Sequence, residues 1–116
     1  MEDDCIFCKI VKGEIPCEKV LESDNFLVIK DVNPKTKGHS LVIPKKHYTT
    51  FLDMPSLSFT EFLSTTKDAS IKLLKETGSE GFNLISNNFK VAGQLVPHVH
   101  LHILPRKKDD GFSLSV

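Results

Sequence analysis

The chain has no net charge to spend on polyanions. Its fifteen Lys and Arg offset fifteen Asp and Glu over 116 residues. That balance gives no reason to expect general affinity for nucleic acid or for acidic membranes. No apolar run reaches about 18 residues, which excludes a transmembrane helix. The opening MEDDCIFCK is acidic and lacks the apolar core of a secretory signal, and neither end carries a lipidation motif. We therefore expect an intracellular protein, cytoplasmic and with access to the nucleus. Cysteine is scarce. Cys5, Cys8 and Cys17 are an odd number, which argues against a disulfide framework. Cys17 reads most simply as a small buried or half-buried hydrophobe. Repeats, low-complexity segments and linkers are absent, so residues 1–116 read as one domain, long enough to bury a core without staples.

The order of expected elements is short helix, strands, long helix, strands. Residues 4–11 (DCIFCKIV) read as a helix with Asp4 as its N-cap. Residues 18–22 and 25–30 read as a strand pair across Ser23-Asp24, and 39–45 (HSLVIPK) as a third strand. Residues 46–55 read as irregular. A helical period runs through 57–77, with Phe59, Phe62, Leu63, Leu73 and Leu74 on the core stripe and polar Thr66 and Ser70 between the clusters. Gly78 suits the C-cap. Residues 82–86 and 99–104 close the sheet. Strands before and after one main helix predict an α+β domain with a largely antiparallel sheet.

Residues 97–106 read PHVHLHILPR. Side chains alternate across a strand, so His98, His100 and His102 share one face and Val99, Leu101 and Ile103 the other. The apolar half belongs to the core. The imidazole half does little for folding, and histidine is the side chain best suited to proton transfer and to metal ligation. Same-face neighbours lie about 6.6 Å apart and His98 and His102 about 13 Å apart, so the three rings cannot share one ion. The labour is divided. His100, mid-strand, is placed to be a nucleophile once a hydrogen bond sets its tautomer. His102 is placed to donate a proton to a leaving group. His39 opens another strand and can border the same surface. In the loop from Asn87 to Gln94, Gly93 and the main-chain amides can cradle an anion and Gln94 can add a neutral donor; an ordinary strand connection is the alternative. Lys35, Lys37, Lys45 and Lys46 read as a phosphate attractant or, more simply, as a solvated basic edge.

Cys5 and Cys8, at i and i+3 of a helical turn, can offer two thiolates to zinc. A Cys₂His₂ site needs two histidines, and His47 and His98 are the available pair. Four protein ligands leave no open position, so such a zinc is structural. A pair of packed cysteines is the alternative.

These residues resemble a family. His98 to Leu104 fits the alternating histidine and apolar motif of the histidine-triad superfamily. CIFCKIVKGEIP, FLVIKDVNPKTKGHSLVIPKKH, GFNLISNN and AGQLVPHVHLHILPR agree with it in order, covering roughly residues 5 to 106. The chain is most similar to the nucleoside phosphoramidate hydrolase branch. The resemblance implies a five-stranded antiparallel sheet with one long and one short N-terminal helix, and two copies paired into ten strands. It implies hydrolysis of nucleoside 5′-monophosphate conjugates, adenosine phosphoramidates or aminoacyl-adenylates, through a nucleotidyl intermediate on His100. His98 and His102 flank that nucleophile and His39 supports the site. By the same resemblance Asp31 would hold the ribose hydroxyls of a purine nucleotide, and Asn87, Gly93 and Gln94 would surround the phosphate. The resemblance also implies a zinc held by Cys5, Cys8, His47 and His98, with no cofactor needed for the chemical step. The rival readings are a dinucleoside polyphosphate hydrolase, a non-catalytic nucleotide-binding regulator, and a zinc hydrolase with its metal at the triad. Two departures bear on the leaving group. Leu95 stands where relatives often carry a serine, and the chain lacks the tryptophan that some relatives place near a partner's site.

Overall fold

The unbroken apolar runs of FLVIK and LVIP call for burial on both faces, and the computed structural model, which describes residues 2–116, builds a sheet covered on both sides. Strands β1 (Lys19–Glu22), β2 (Phe26–Lys30), β3 (Ser40–Pro44), β4 (Gly81–Ser86) and β5 (Leu101–Arg106) pair antiparallel throughout, in the order β1-β2-β3-β5-β4. Helix α1 (Ile6–Val11) precedes them, and α2 (Phe59–Thr77) lies between β3 and β4. This is the expected α+β architecture. No helix among the described residues is long and apolar enough to cross a membrane.

Each face has its own core. Phe26, Val28, Val42, Val99, Leu101 and Ile103 meet Phe62, Ala69 and Leu73 of α2. Leu27, Ile29, Leu41 and Ile43 on the opposite face meet Cys5, Phe7 and Cys8 around α1. Burying an aliphatic side chain of this kind stabilises by about 1.5–3 kcal/mol. Val99, Leu101 and Ile103 thus enter the α2 core as their alternation requires.

Several local expectations change. The N-cap of α1 is Cys5, not Asp4, because the Cys5 sulfur accepts the Cys8 N–H at 3.4 Å while Asp4 lies in a preceding 3₁₀ turn. Cys17 is exposed rather than buried. A 3₁₀ turn at Phe51–Asp53, capped by Thr50, interrupts the irregular stretch 46–55. Residues 56–58 are a 3₁₀ turn ahead of α2. Leu63 is exposed, whereas Thr66, Ser70 and Thr77 are buried. Their hydroxyls donate to the carbonyls of Phe62, Thr66 and Leu73 one turn back, which satisfies them without water and makes small polar residues acceptable core. The last strand begins at Leu101 instead of 99. Upstream, the Val99 N–H goes to the Tyr48 carbonyl (2.8 Å), so the chain is extended there but outside the ladder.

Gly38 permits a close approach beside His39. Its φ is +87°, and a Cβ there would lie 2.7 Å from Thr77 Cγ2 and 3.3 Å from Pro105 Cγ. Gly13 has φ +81° with open space around it. Gly38→Ala should combine about 1–2 kcal/mol of left-handed strain with about 1–3 kcal/mol of overpacking. Gly13→Ala should show the strain alone. Denaturant unfolding of the two variants checks this, and equal losses would contradict it.

Candidate active site

The face of the sheet opposite α2 carries the chemistry. Leu41 of β3 stands opposite His102 of β5, so both point toward the α1 side. His39 lies two residues before Leu41 and shares that face. Asp31 follows β2, and its N–H donates to the His39 carbonyl at 2.9 Å, which sets the two side chains together. The Asp31 Oδ2 is 3.4 Å from His39 Nε2. The rings of His100 and His102 stand 5.0 Å apart between centroids, and those of His39 and His102 5.2 Å.

Backbone partners decide which nitrogen of each ring holds the proton. A carbonyl only accepts and an amide N–H only donates. His100 Nδ1 lies 2.8 Å from the His98 carbonyl, so Nδ1 is protonated and Nε2 keeps its lone pair. His98 Nε2 lies 2.9 Å from the Pro44 carbonyl, so its Nδ1 is the free base. His39 Nδ1 accepts the Lys35 N–H at 3.0 Å, so Nε2 is protonated and donates to His102 Nδ1 at 2.9 Å. His102 therefore presents Nε2–H. Burial lowers the pKa of all four rings and brings those of His98 and His102 to about 4. At neutral pH they are uncharged, the form that a nucleophile or metal ligand requires.

The free Nδ1 of His98 faces the cysteines. It lies 3.3 Å from Cys5 Sγ, 3.6 Å from Cys8 Sγ and 3.2 Å from His47 Nδ1. Cys8 Sγ is 3.3 Å from His47 Nδ1. Four ligands on a tetrahedral zinc would be spaced about 3.5 Å between S and N and about 3.3 Å between two nitrogens. The group can therefore hold a metal, with soft and borderline donors that suit zinc. Asp31, His39 and His102 also gather ligand-type atoms. There the 2.9 Å nitrogen separation is a hydrogen bond, shorter than two ligands of one tetrahedral ion would show. Phe7, inside the C-x-x-C, packs edge-on against both His98 (5.6 Å) and His100 (5.2 Å). Phe7 is not among the site residues expected from the sequence, although its position between two candidate ligand cysteines was the available signal.

A cleft of two lobes opens over the histidines. One, of about 310 Å³, has apolar walls from Ile6, Phe7, Ile10, Ile29 and Leu41, with His100 and Asp31 at its rim. The other, of about 340 Å³, includes His39, Asn87 and Lys35. Asp31, Asn33, Leu95 and His102 border both. Asn87 and Gly93 meet in the loop, since a Cβ on Gly93 would touch the Asn87 amide at 3.6 Å. Gln94 is buried and turned inward. Its Oε1 accepts the Phe89 N–H (2.7 Å) and its Nε2 donates to the Thr49 carbonyl (2.6 Å), so its amide holds the loop in shape.

The HIT domain profile matches residues 12–109. The chain is 49% identical over 107 residues to an uncharacterised HIT-like protein of Methanocaldococcus jannaschii, covering 92% of this chain and 82% of that one. It is 42% identical over 106 residues to the adenosine 5′-monophosphoramidase hnt1 of Schizosaccharomyces pombe, covering 91% of this chain and 77% of that one. Among solved structures, the zinc-bound histidine-triad family protein of Mycobacterium smegmatis superposes with a TM-score of 0.86 at 35% identity, over 98% of this chain and 83% of that one. Sequence, fold and histidine geometry agree, and the chain belongs to the HIT family.

Proposed function

We propose that the protein hydrolyses adenosine 5′-phosphoramidates and related nucleoside 5′-monophosphate conjugates through a nucleotidyl intermediate on His100. The observation that carries this reading is the His100 ring itself. Its Nδ1–H is spent on the His98 carbonyl, and its Nε2 lone pair belongs to a ring that borders the cleft. A neutral imidazole in that state is a nucleophile needing no further activation. The name of the fission yeast relative supports the same substrate class.

In this reading the nucleoside occupies the apolar lobe. Asp31 at its rim takes the ribose hydroxyls, and the Asn87–Gln94 loop surrounds the phosphate. His100 Nε2 attacks the α-phosphorus as the bond to the leaving group breaks. The new phosphoryl-imidazolium is stabilised by its Nδ1–H on the His98 carbonyl. One extra proton, taken up with the anionic substrate and shared between His102 and the substrate nitrogen, departs with the amine. Water then attacks the phosphorus on the vacated side, the P–Nε2 bond breaks with its electron pair returning to His100, and the proton that water loses passes to solvent as the monophosphate leaves. Developing negative charge on phosphorus is met by the His102 Nε2–H and the loop amides.

Zinc is the metal we assign to Cys5, Cys8, His47 and His98. Bound there with four protein ligands, it would supply folding energy and hold α1 on the sheet. His98 is thereby shared between the metal group and the nucleophile.

His100→Ala should lose at least about a thousandfold in kcat while keeping its thermal midpoint. In wild type, a radiolabelled nucleotide should remain on the protein after an alkaline quench, where a phosphohistidine survives. Wild-type turnover in the variant would end the covalent reading. For the metal, Cys8→Ser should bind zinc at least about 100-fold more weakly than wild type. It should also show no zinc-dependent rise in thermal midpoint; a rise equal to that of wild type would contradict the assignment.

A further inference from the structure

The loop between β4 and β5 holds one residue against its own preference. Phe89 has φ 71° and ψ 152°, a backbone region that glycine enters freely and other residues almost never do. Burial of the ring does not explain this, since Phe89 is 55% exposed. A bulky residue stays in such a region only where its surroundings over-determine it. Both main-chain groups of Phe89 are engaged by one residue, Gln94. The Phe89 N–H donates to Gln94 Oε1 at 2.7 Å, and the Gln94 N–H donates to the Phe89 carbonyl at 3.1 Å.

The same side chain reaches outside the loop. Gln94 Nε2 donates to the Thr49 carbonyl at 2.6 Å. The segment that receives it is itself fixed. The Tyr48 carbonyl accepts the Val99 N–H (2.8 Å), the Phe51 N–H donates to Asn88 Oδ1 (2.7 Å), and Thr50 caps the turn at Phe51–Asp53. Gln94 is buried and lines neither lobe of the cleft. The ends of the loop do reach the cleft: Asn87 lines the second lobe and Leu95 borders both. Gly93, with φ +96°, packs on the Asn87 amide. The shape imposed at Phe89 therefore sets where Asn87 and Gly93 stand.

We infer that Gln94 is a positioning residue: by holding Phe89 in a glycine-like backbone and tying it to Thr49, it pre-forms the loop from Asn87 to Gly93 around the phosphate. This rests on the proposed nucleotide chemistry and names what keeps the phosphate loop in shape. An amide suits the task because it accepts from an N–H and donates to a carbonyl at once. A carboxylate would set an oxygen against the Thr49 carbonyl, and a thioether would serve neither partner. A loop already in shape spares the ligand the entropy of ordering it.

The test compares adenosine 5′-monophosphate (AMP) with adenosine, which lacks the phosphate, by titration calorimetry on the full-length protein. Gln94→Met keeps the side-chain length and removes both bonds. It should weaken AMP by at least about tenfold and adenosine by less than about twofold. It should also lower kcat/KM for adenosine 5′-phosphoramidate by about a hundredfold. Adding Phe89→Gly to Gln94→Met should recover AMP affinity by at least about threefold, because glycine enters that backbone region without the amide. A side chain that served only the fold would give the opposite, since glycine loosens the loop further. Gln94→Glu, which keeps the acceptor toward Phe89 and guards against a folding defect, should lose less AMP affinity than Gln94→Met. Equal losses on AMP and adenosine, unchanged AMP affinity in Gln94→Met, or no recovery in the double variant would overturn the inference and leave the hydrolase reading standing. A wild type that binds AMP and turns over no phosphoramidate would overturn the hydrolase reading, and the binding comparison alone then decides the inference. A wild type that binds no AMP would overturn both.

Discussion

The hydrogen bond from His100 Nδ1–H to the His98 carbonyl, 2.8 Å long, is the constraint on which the site depends. It converts an ambiguous imidazole into one with a defined lone pair. A net worth of about 1 kcal/mol tilts a tautomer ratio about fivefold, and burial strengthens such a bond. The acceptor is well anchored. His98 is fully buried, its Nε2–H is held by the Pro44 carbonyl, and its other nitrogen faces Cys5, Cys8 and His47. One residue therefore joins the metal group to the nucleophile through its own main chain, and Phe7 joins them again by packing on both rings.

The sheet divides two tasks between its faces. The α2 side is packing, with buried threonine and serine hydroxyls closed off on the helix backbone. On the other side α1 covers the β2–β3 end, and the segment held by Arg106 lies toward β4 and β5. The gap between these two covers contains His100, His102 and Asp31. Each cover is fastened by side chains: α1 by its cysteines and Phe7, which are buried against the sheet, and the segment after β5 by Arg106.

Much of this was legible in the residues. Period-two alternation in PHVHLHILPR assigned Val99, Leu101 and Ile103 to the core and the imidazoles to the opposite surface, and both hold. The succession of strands along the chain and the place of the long helix followed from runs of β-branched residues and from the Gly78 stop, whereas the order β1-β2-β3-β5-β4 within the sheet did not. Cys5, Cys8, His47 and His98 do converge, although their spacing matches no short motif, because the ends of three separate segments meet there. What escaped was three-dimensional. Nothing in a period-two pattern says that Val99 pairs with Tyr48 outside the ladder, or that Gln94 spends its amide on Thr49. A helical wheel put Leu63 inside and Ser70 between clusters. The helix was free to do otherwise because a serine can satisfy itself on the preceding turn. Cys17 reads as buried by type but is exposed, in the irregular stretch after Pro16 that leads into β1. Arg106 carries no signature in the sequence, because its partners Asp110 and Phe112 reach it only through the fold-back at Asp109 and Gly111.

The position of one proton on His100 governs the site, and it can be read directly. Long-range ¹H–¹⁵N correlation of the histidine rings at neutral pH, with His100 assigned by its loss in a His100→Asn variant, reports which nitrogen is protonated. His100 should show a protonated Nδ1 and a bare Nε2 in the resting protein. A proton on Nε2, or a ring exchanging freely between both tautomers, would contradict it.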